Sequence, residues 1–240
     1  MSPRTHVLPD RNAAVEACAG RIFELLNESL TGREFATLAV SGGHIQDLFE
    51  KMAARRFDWK RLQLFWVDER CVPPHDSASN YKLAKDHLIS RVEIPESHVH
   101  RIVGEVAPQE AAERYAQEIR SFFGLARGEM PAFDVVQCGM GPDGHTASLF
   151  PGDPMIDDRE GIAAARFAPQ QANQWRVTLL PGPLLAAHQR IYFVSGADKA
   201  PVLREVLNAG PQASKYPAGI VGRNAEWFVD REAADELESS

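Results

Sequence analysis

"FDVVQCGMGPDGHTASLFPG", residues 133–152, begins as one kind of structure and ends as another. FDVVQC (133–138) is a short apolar run of strand length, the composition of a strand covered on both faces. Glycines at 139, 141, 144 and 152 then break the chain into turns, with Asp143 and His145 between them. Gly139, Gly141 and Gly144 spell G-x-G-x-x-G, but a dinucleotide site needs a helix starting at the third glycine so that its N-terminus can hold the pyrophosphate. Pro151 and Gly152 stop any such helix within two turns. The acidic residues about twenty positions on, Asp157 and Asp158, lie in a loop-like stretch and not at a strand end. The prediction is therefore a buried strand that delivers a polar loop carrying a histidine.

The same alternation recurs on both sides. Val15, Ala19, Ile22, Phe23, Leu26 and Leu30 form one stripe on a helix over 10–30, capped by Asp10. FATLAV (35–40) reads as a buried strand ending in Ser41-Gly42-Gly43, followed by a helix over 45–55. LQLFWV (62–67) is a second strand, running out into Asp68-Glu69-Arg70, and helical spacing follows near 80–91 and 109–123. Downstream, strands are predicted at 176–180, 190–196 and 226–230, with helices at 183–188, 198–208 and 231–237. Strands alternating with helices specify parallel crossovers. The fold class is α/β, a three-layer, Rossmann-like, mostly parallel sheet with helices on both faces. No repeat, low-complexity tract or linker divides the chain, so residues 1–240 are read as one domain.

Open sheets of this class bind ligands beyond the carboxyl ends of their strands. Ser41-Gly42-Gly43, Asp68-Glu69-Arg70 and the Gly139–His145 loop all follow strand ends, so three polar motifs are directed to one rim. Composition limits what they can bind. The chain has 240 residues, 44% apolar and 25% charged, with net charge −7 and an isoelectric point near 5.6. Such a surface repels nucleic acid and anionic membrane, and an anionic substrate needs a local cluster of Arg and Lys. Cys18, Cys71 and Cys138 are far apart, with no C-x-x-C pair, which suits the cytoplasm and neither a disulfide scaffold nor a zinc knuckle. The opening residues lack a signal-peptide core, and no apolar run is long enough to span a bilayer.

Each motif has a plain alternative. SGGH before a helix suits an anion, because glycines admit close approach and the first turn presents unpaired N–H groups; it is equally a tight strand-to-helix turn. Asp68 and Arg70, two apart on a strand, share a face and reach one pocket, or form a surface ion pair. Cys71 beside them is a thiol nucleophile with His145 as its base, or a small buried hydrophobe. Lys199, after a predicted strand end, is a phosphate ligand or a solvated first-turn residue. His145 is the sharpest feature: an imidazole near neutrality is the usual side chain for activating water, and a carboxylate such as Asp143 fixes its tautomer.

Together LAVSGG, WVDERCVP, SNY, GMGPDGHTASLFPG, RVTL, SGADKAPVL and the closing YPAGIV and EWFVDREAA resemble the 6-phosphogluconolactonases, within the wider group that includes glucosamine-6-phosphate isomerase/deaminase. The resemblance covers nearly the whole chain. It implies hydrolysis of 6-phospho-D-glucono-1,5-lactone to 6-phosphogluconate, with no metal or organic cofactor. On that likeness His145 is the general base, with Asp143 and Asp68 as the accompanying carboxylates. Ser41, Gly42 and Gly43 cradle the phosphate, Arg70 and Lys199 hold it, and Gly141 belongs to the substrate loop. The expected partner is a phosphorylated sugar lactone, not nucleic acid or membrane, and the expected assembly a monomer or small homo-oligomer. One departure is His44-Ile45-Gln46, where the family has a small or hydroxyl residue and then Pro. His44 thus presents either a ring N–H or a solvent-facing side chain in place of a hydroxyl. The isomerase pattern D-G-H-I-A-F-N-E-P has a glutamate that supports the histidine, and this chain has Phe150 at that position.

Overall fold

The structure, a computed structural model, describes residues 4–169, 174–208 and 212–237. In chain order its strands and α-helices are β1 (Arg4–Leu8), α1 (Arg11–Ser29), β2 (Ala36–Val40), α2 (Gln46–Ala53), β3 (Leu62–Trp66), β4 (Asp68–Arg70), α3 (Asn80–His87), β5 (Val99–His100), α4 (Pro108–Phe123), β6 (Val135–Cys138), β7 (Ala163–Ala168), β8 (Gln174–Leu179), α5 (Pro181–Ala186), β9 (Gln189–Val194), α6 (Ala200–Leu207), α7 (Pro217–Val221) and β10 (Glu226–Asp230). Seven strands form one sheet in the order β1-β10-β9-β6-β2-β3-β5, every pair parallel. Helices cover both faces, and most of the buried apolar side chains form one continuous cluster.

Local chemistry explains the long elements. Asp10 caps α1 by accepting the Ala13 N–H at 2.8 Å, and the predicted stripe from Val15 to Leu26 is buried. Proline opens α4 at its first position and Gly124 closes it in the left-handed conformation, φ 62°. β2, β3, β6 and β10 are buried along their whole length, the signature of strands covered on both faces.

Three expectations need correction. The Asp68-Glu69-Arg70 segment does not extend the second strand: the chain turns at Val67 and starts β4 in a separate three-stranded antiparallel sheet, ordered β4-β8-β7. The strand expected at 176–180 is β8 of that small sheet, paired with β7 and not inserted between parallel neighbours. Residues 231–237 form successive turns and no helix. The Asp230 carboxylate turns the chain at once by accepting the Ala233 N–H at 2.8 Å. β1, β5, β7 and α7 were not predicted; β1 and β5 are edge strands, which carry weaker patterns than the interior ones.

Candidate active site

From β2 the chain moves through β3 to β5 on one side, and β6, β9 and β10 lie on the other. The topological switch point is therefore between β2 and β6, where the connections after adjacent strands diverge and open a crevice. Those two connections are the Ser41–Gly43 turn and the Gly139–His145 loop. No helix follows the third glycine of that loop, so the dinucleotide spelling is empty.

The loop is built around His145. Gly144 takes φ 80° and Gly141 N–H bonds back to the His145 carbonyl at 3.0 Å. A Cβ on Gly141 would stand 2.1 Å from His145 Nδ1, so glycine there makes room for the imidazole. Asp143 Oδ1 lies 2.5 Å from Nδ1 and also accepts the His145 backbone N–H. Burial would raise the Asp143 pKa, but the hydrogen bond and charge of His145 outweigh it and hold the carboxyl below its usual range. This pairing assigns the proton to Nδ1 and leaves the Nε2 lone pair free. Beyond the histidine, Thr146 donates to the Gly139 carbonyl, and Ala147 is the one non-glycine residue at positive φ among those described, 51°.

Ser41 is buried, and both its N–H and its hydroxyl donate to Gln137 Oε1 on β6, at 3.1 and 2.9 Å. Gln137 thus ties the two connections together. Gly42 lies flush against Asn80, whose side chain would collide with any Cβ there. Gly43 has φ 88° and open space beside it. His44 is exposed, and its carbonyl accepts from Arg11. Asp47 in the first turn of α2, paired with Arg11, already places a carboxylate at that helix N-terminus.

The small sheet brings a second set of side chains to the rim. Pairing places Arg70 opposite Arg176, and Arg176 opposite Arg166, so three guanidinium groups form one row on one face. Arg70 Nε, Arg166 Nη1 and Arg176 Nε are buried without a partner. Burial lowers the Arg176 pKa; Asp68 opposes this, while Arg70 and Arg166 add to it. Like charges in register are unfavourable, and unpaired buried donors are costly, so the row is a feature that an anion would relieve. Asp68 is buried one register step away. It accepts from Ser148 Oγ at 2.7 Å and Asn80 Nδ2 at 3.3 Å, and lies 3.9 Å from Arg176. Glu69 faces the other way: Arg70, Asn80 and Tyr81 N–H groups and the Ser79 hydroxyl donate to it, anchoring β4 to the start of α3. Burial pushes its pKa up and those bonds pull it partly back.

Cys71 is half-buried, and burial with the nearby Glu69 charge pushes its thiol up to about 11, the wrong direction for a nucleophile. Lys199 lies past the end of β9, the neighbour of β6, and pairs with Asp198. Among the described residues, no three His, Cys, Asp or Glu side chains converge in a metal-binding group, and no helix is long and apolar enough to cross a membrane. Sequence reasoning missed Arg166, Arg176, Ser148 and Asn80. The available signal was an Arg beside an aromatic in both AARFA and QWRVT, the mark of a two-faced hairpin.

The chain's α/β fold and its sequence are both shared with known proteins. The chain belongs to the family described as glucosamine-6-phosphate isomerases/6-phosphogluconolactonase, whose model matches residues 9–229. A Nostoc sp. relative named 6-phosphogluconolactonase is 33% identical, covering 99% of both chains. The Homo sapiens protein of the same name is 40% identical over 72% of this chain and 67% of its own. The solved 6-phosphogluconolactonase from Trypanosoma cruzi superposes with a TM-score of 0.87 at 26% identity, covering 99% of this chain and 98% of that one.

Proposed function

We propose that this protein hydrolyses 6-phospho-D-glucono-1,5-lactone to 6-phosphogluconate, a step of the oxidative pentose phosphate pathway, in the cytoplasm and as one catalytic domain. The observation that carries the reading is the Asp143–His145 pair at the switch point, with the row of Arg70, Arg176 and Arg166 on the adjoining sheet. The base and the anion site of a phosphorylated ester substrate are thereby supplied from two different sheets.

A lactone is an activated ester and needs a water aimed at C1, a base for its proton and donors for the developing oxyanion. His145 Nε2 takes the proton as the water oxygen bonds to C1, giving a tetrahedral intermediate. When the ring C1–O bond breaks, the imidazolium returns that proton to the departing oxygen, yielding the open hydroxy acid. Asp143 keeps Nδ1 protonated through the cycle and stabilises the imidazolium. Asp68 acts through Ser148 and Arg176, which it holds in place. The arginine row, with Lys199 and the Ser41–Gly43 turn, grips the phosphate, so remote binding energy positions the carbonyl.

Phe150 decides against the isomerase/deaminase reaction, because a phenyl ring neither accepts a proton nor supports the histidine as the isomerase glutamate does. The test is initial-rate acid release from freshly prepared phosphorylated lactone, corrected for spontaneous hydrolysis, beside ammonia release from glucosamine 6-phosphate. Rapid acid production without ammonia is expected; ammonia at enzymatic rates would overturn the assignment.

A further inference from the structure

The segment FPGD, residues 150–153, follows directly on the histidine loop, and the reaction as described uses none of it except by exclusion. Its backbone is a tight turn: the Asp153 N–H bonds to the Phe150 carbonyl at 3.1 Å, Pro151 stands at the first central position and Gly152 takes φ 78° at the second. Proline then a left-handed glycine is the type II pattern. Such a turn brings its first and fourth residues side by side, and both side chains go to Arg166. The guanidinium carbon lies 4.2 Å from the centroid of the Phe150 ring, and Asp153 Oδ2 accepts from Arg166 Nε at 2.6 Å. Neither charged partner is free to wander, with side-chain exposures of 13% and 8%. The same Phe150 ring, fully buried, also packs against His145, centroids 4.8 Å apart and planes 31° apart.

We propose that the Phe150–Asp153 turn is a clamp that positions Arg166 for the substrate phosphate and, through the shared Phe150 ring, sets the orientation of His145. This rests on the functional reading above, in which Arg166 grips the phosphate and His145 is the base. Phe150 and Asp153 are positioning residues and touch no reacting atom. The division of labour is specific. Asp153 holds Arg166 with Oδ2 while its Oδ1 accepts the Met155 N–H at 2.9 Å. It does not reach the histidine through a ring as Phe150, which contacts both Arg166 and His145, does.

The kinetic consequences separate accordingly. Phe150→Leu keeps an apolar side chain but removes the ring, so KM for the phosphorylated lactone should rise about 2- to 30-fold, the range of a partly to fully desolvated cation–π contact. Its kcat should fall on phosphorylated and unphosphorylated lactone alike, because the histidine loses its lateral support. Asp153→Asn removes the charge that faces Arg166 but keeps an amide oxygen able to accept the Met155 N–H, so it should raise KM for the phosphorylated lactone only.

The deciding measurement is a pair of double-mutant cycles with Arg166→Met. In the Arg166→Met background, Phe150→Leu and Asp153→Asn should add nothing further to KM, while Phe150→Leu should still lower kcat. Independent, multiplicative KM effects would overturn the clamp, as would equal KM losses on both lactones. Should Arg166→Met itself leave KM for the phosphorylated lactone unchanged, the arginine row and the clamp fall together. A large Arg166 effect with independent Phe150 and Asp153 effects removes only the clamp. If Phe150→Leu does not fold, the Asp153→Asn cycle decides the Arg166 half alone, and Phe150→Tyr, which retains the ring, must keep near-parental kcat for the His145 half to stand.

Discussion

Replacing Asp143 by asparagine should remove most of the rate while leaving the loop in place. The carboxylate lies 2.5 Å from His145 Nδ1, a short charge-assisted contact that fixes where the ring proton sits. A hydrogen bond to a charged group contributes about 1.5–3 kcal/mol, so its simple loss should lower kcat about 10- to 150-fold. Asparagine does more than remove a charge. Its amide N–H can donate to Nδ1, which moves the ring proton to Nε2 and leaves no lone pair towards water; the equivalent exchange in the serine-protease triad costs about 10⁴. Asp143→Ala cannot donate and should stay within the first range. The ordering is therefore the signature: wild type, then Ala, then Asn. Deleting the proposed base, His145→Ala, should cost about 100- to 10,000-fold. The assay is initial-rate acid release from fresh lactone at fixed pH, with thermal melts to verify that each variant is folded. An Asp143→Asn enzyme within about threefold of wild type, or faster than Asp143→Ala, would refute the tautomer argument.

Arg70→Met and Lys199→Met should each lower kcat/KM for the phosphorylated lactone about 10- to 150-fold and leave the unphosphorylated lactone nearly unaffected; equal losses on both would remove these residues from phosphate binding. Gly141→Ala puts a methyl 2.1 Å from His145 Nδ1, so it should displace the ring and lower kcat about 100-fold or more with a much smaller effect on the melting temperature. Asp143, held below its usual range in the folded state, contributes stability that is complete above the ordinary aspartate value near 4 and is lost as pH falls through the depressed one. Asp143→Ala should therefore flatten the acid limb of a urea-midpoint profile below about pH 4 and leave its shape at neutral pH unchanged. Chelators should not change activity, since no ligand spacing in the chain resembles that of a zinc hydrolase; inactivation reversed by one added metal would overturn the cofactor-free mechanism.

Local chemistry made half of this protein legible before any coordinates. FDVVQC, FATLAV and LQLFWV are strands because their composition suits burial on both faces, and Asp10 marks a helix start through its own hydrogen-bonding preference. The Asp143–His145 pair was readable for the same reason: two residues apart on a glycine loop, they meet whatever surrounds them. The arginine row was not. Arg70 meets Arg176 and Arg166 only because β4 pairs with the β7–β8 strands, which follow it by about a hundred residues in the chain, and a period-two pattern states which residues share a face without stating which strand lies opposite. The departure of β4 from the line of β3 and the Gln137 bond that ties Ser41 to β6 likewise depend on distant segments, and the seat of Phe150 between His145 and Arg166 depends on how the chain folds back after its turn. Short-range spacing determined the Asp143–His145 pair; only packing of the two sheets against each other decided what faces it, because that choice is made by the burial of whole surfaces and not by the preferences of any one stretch.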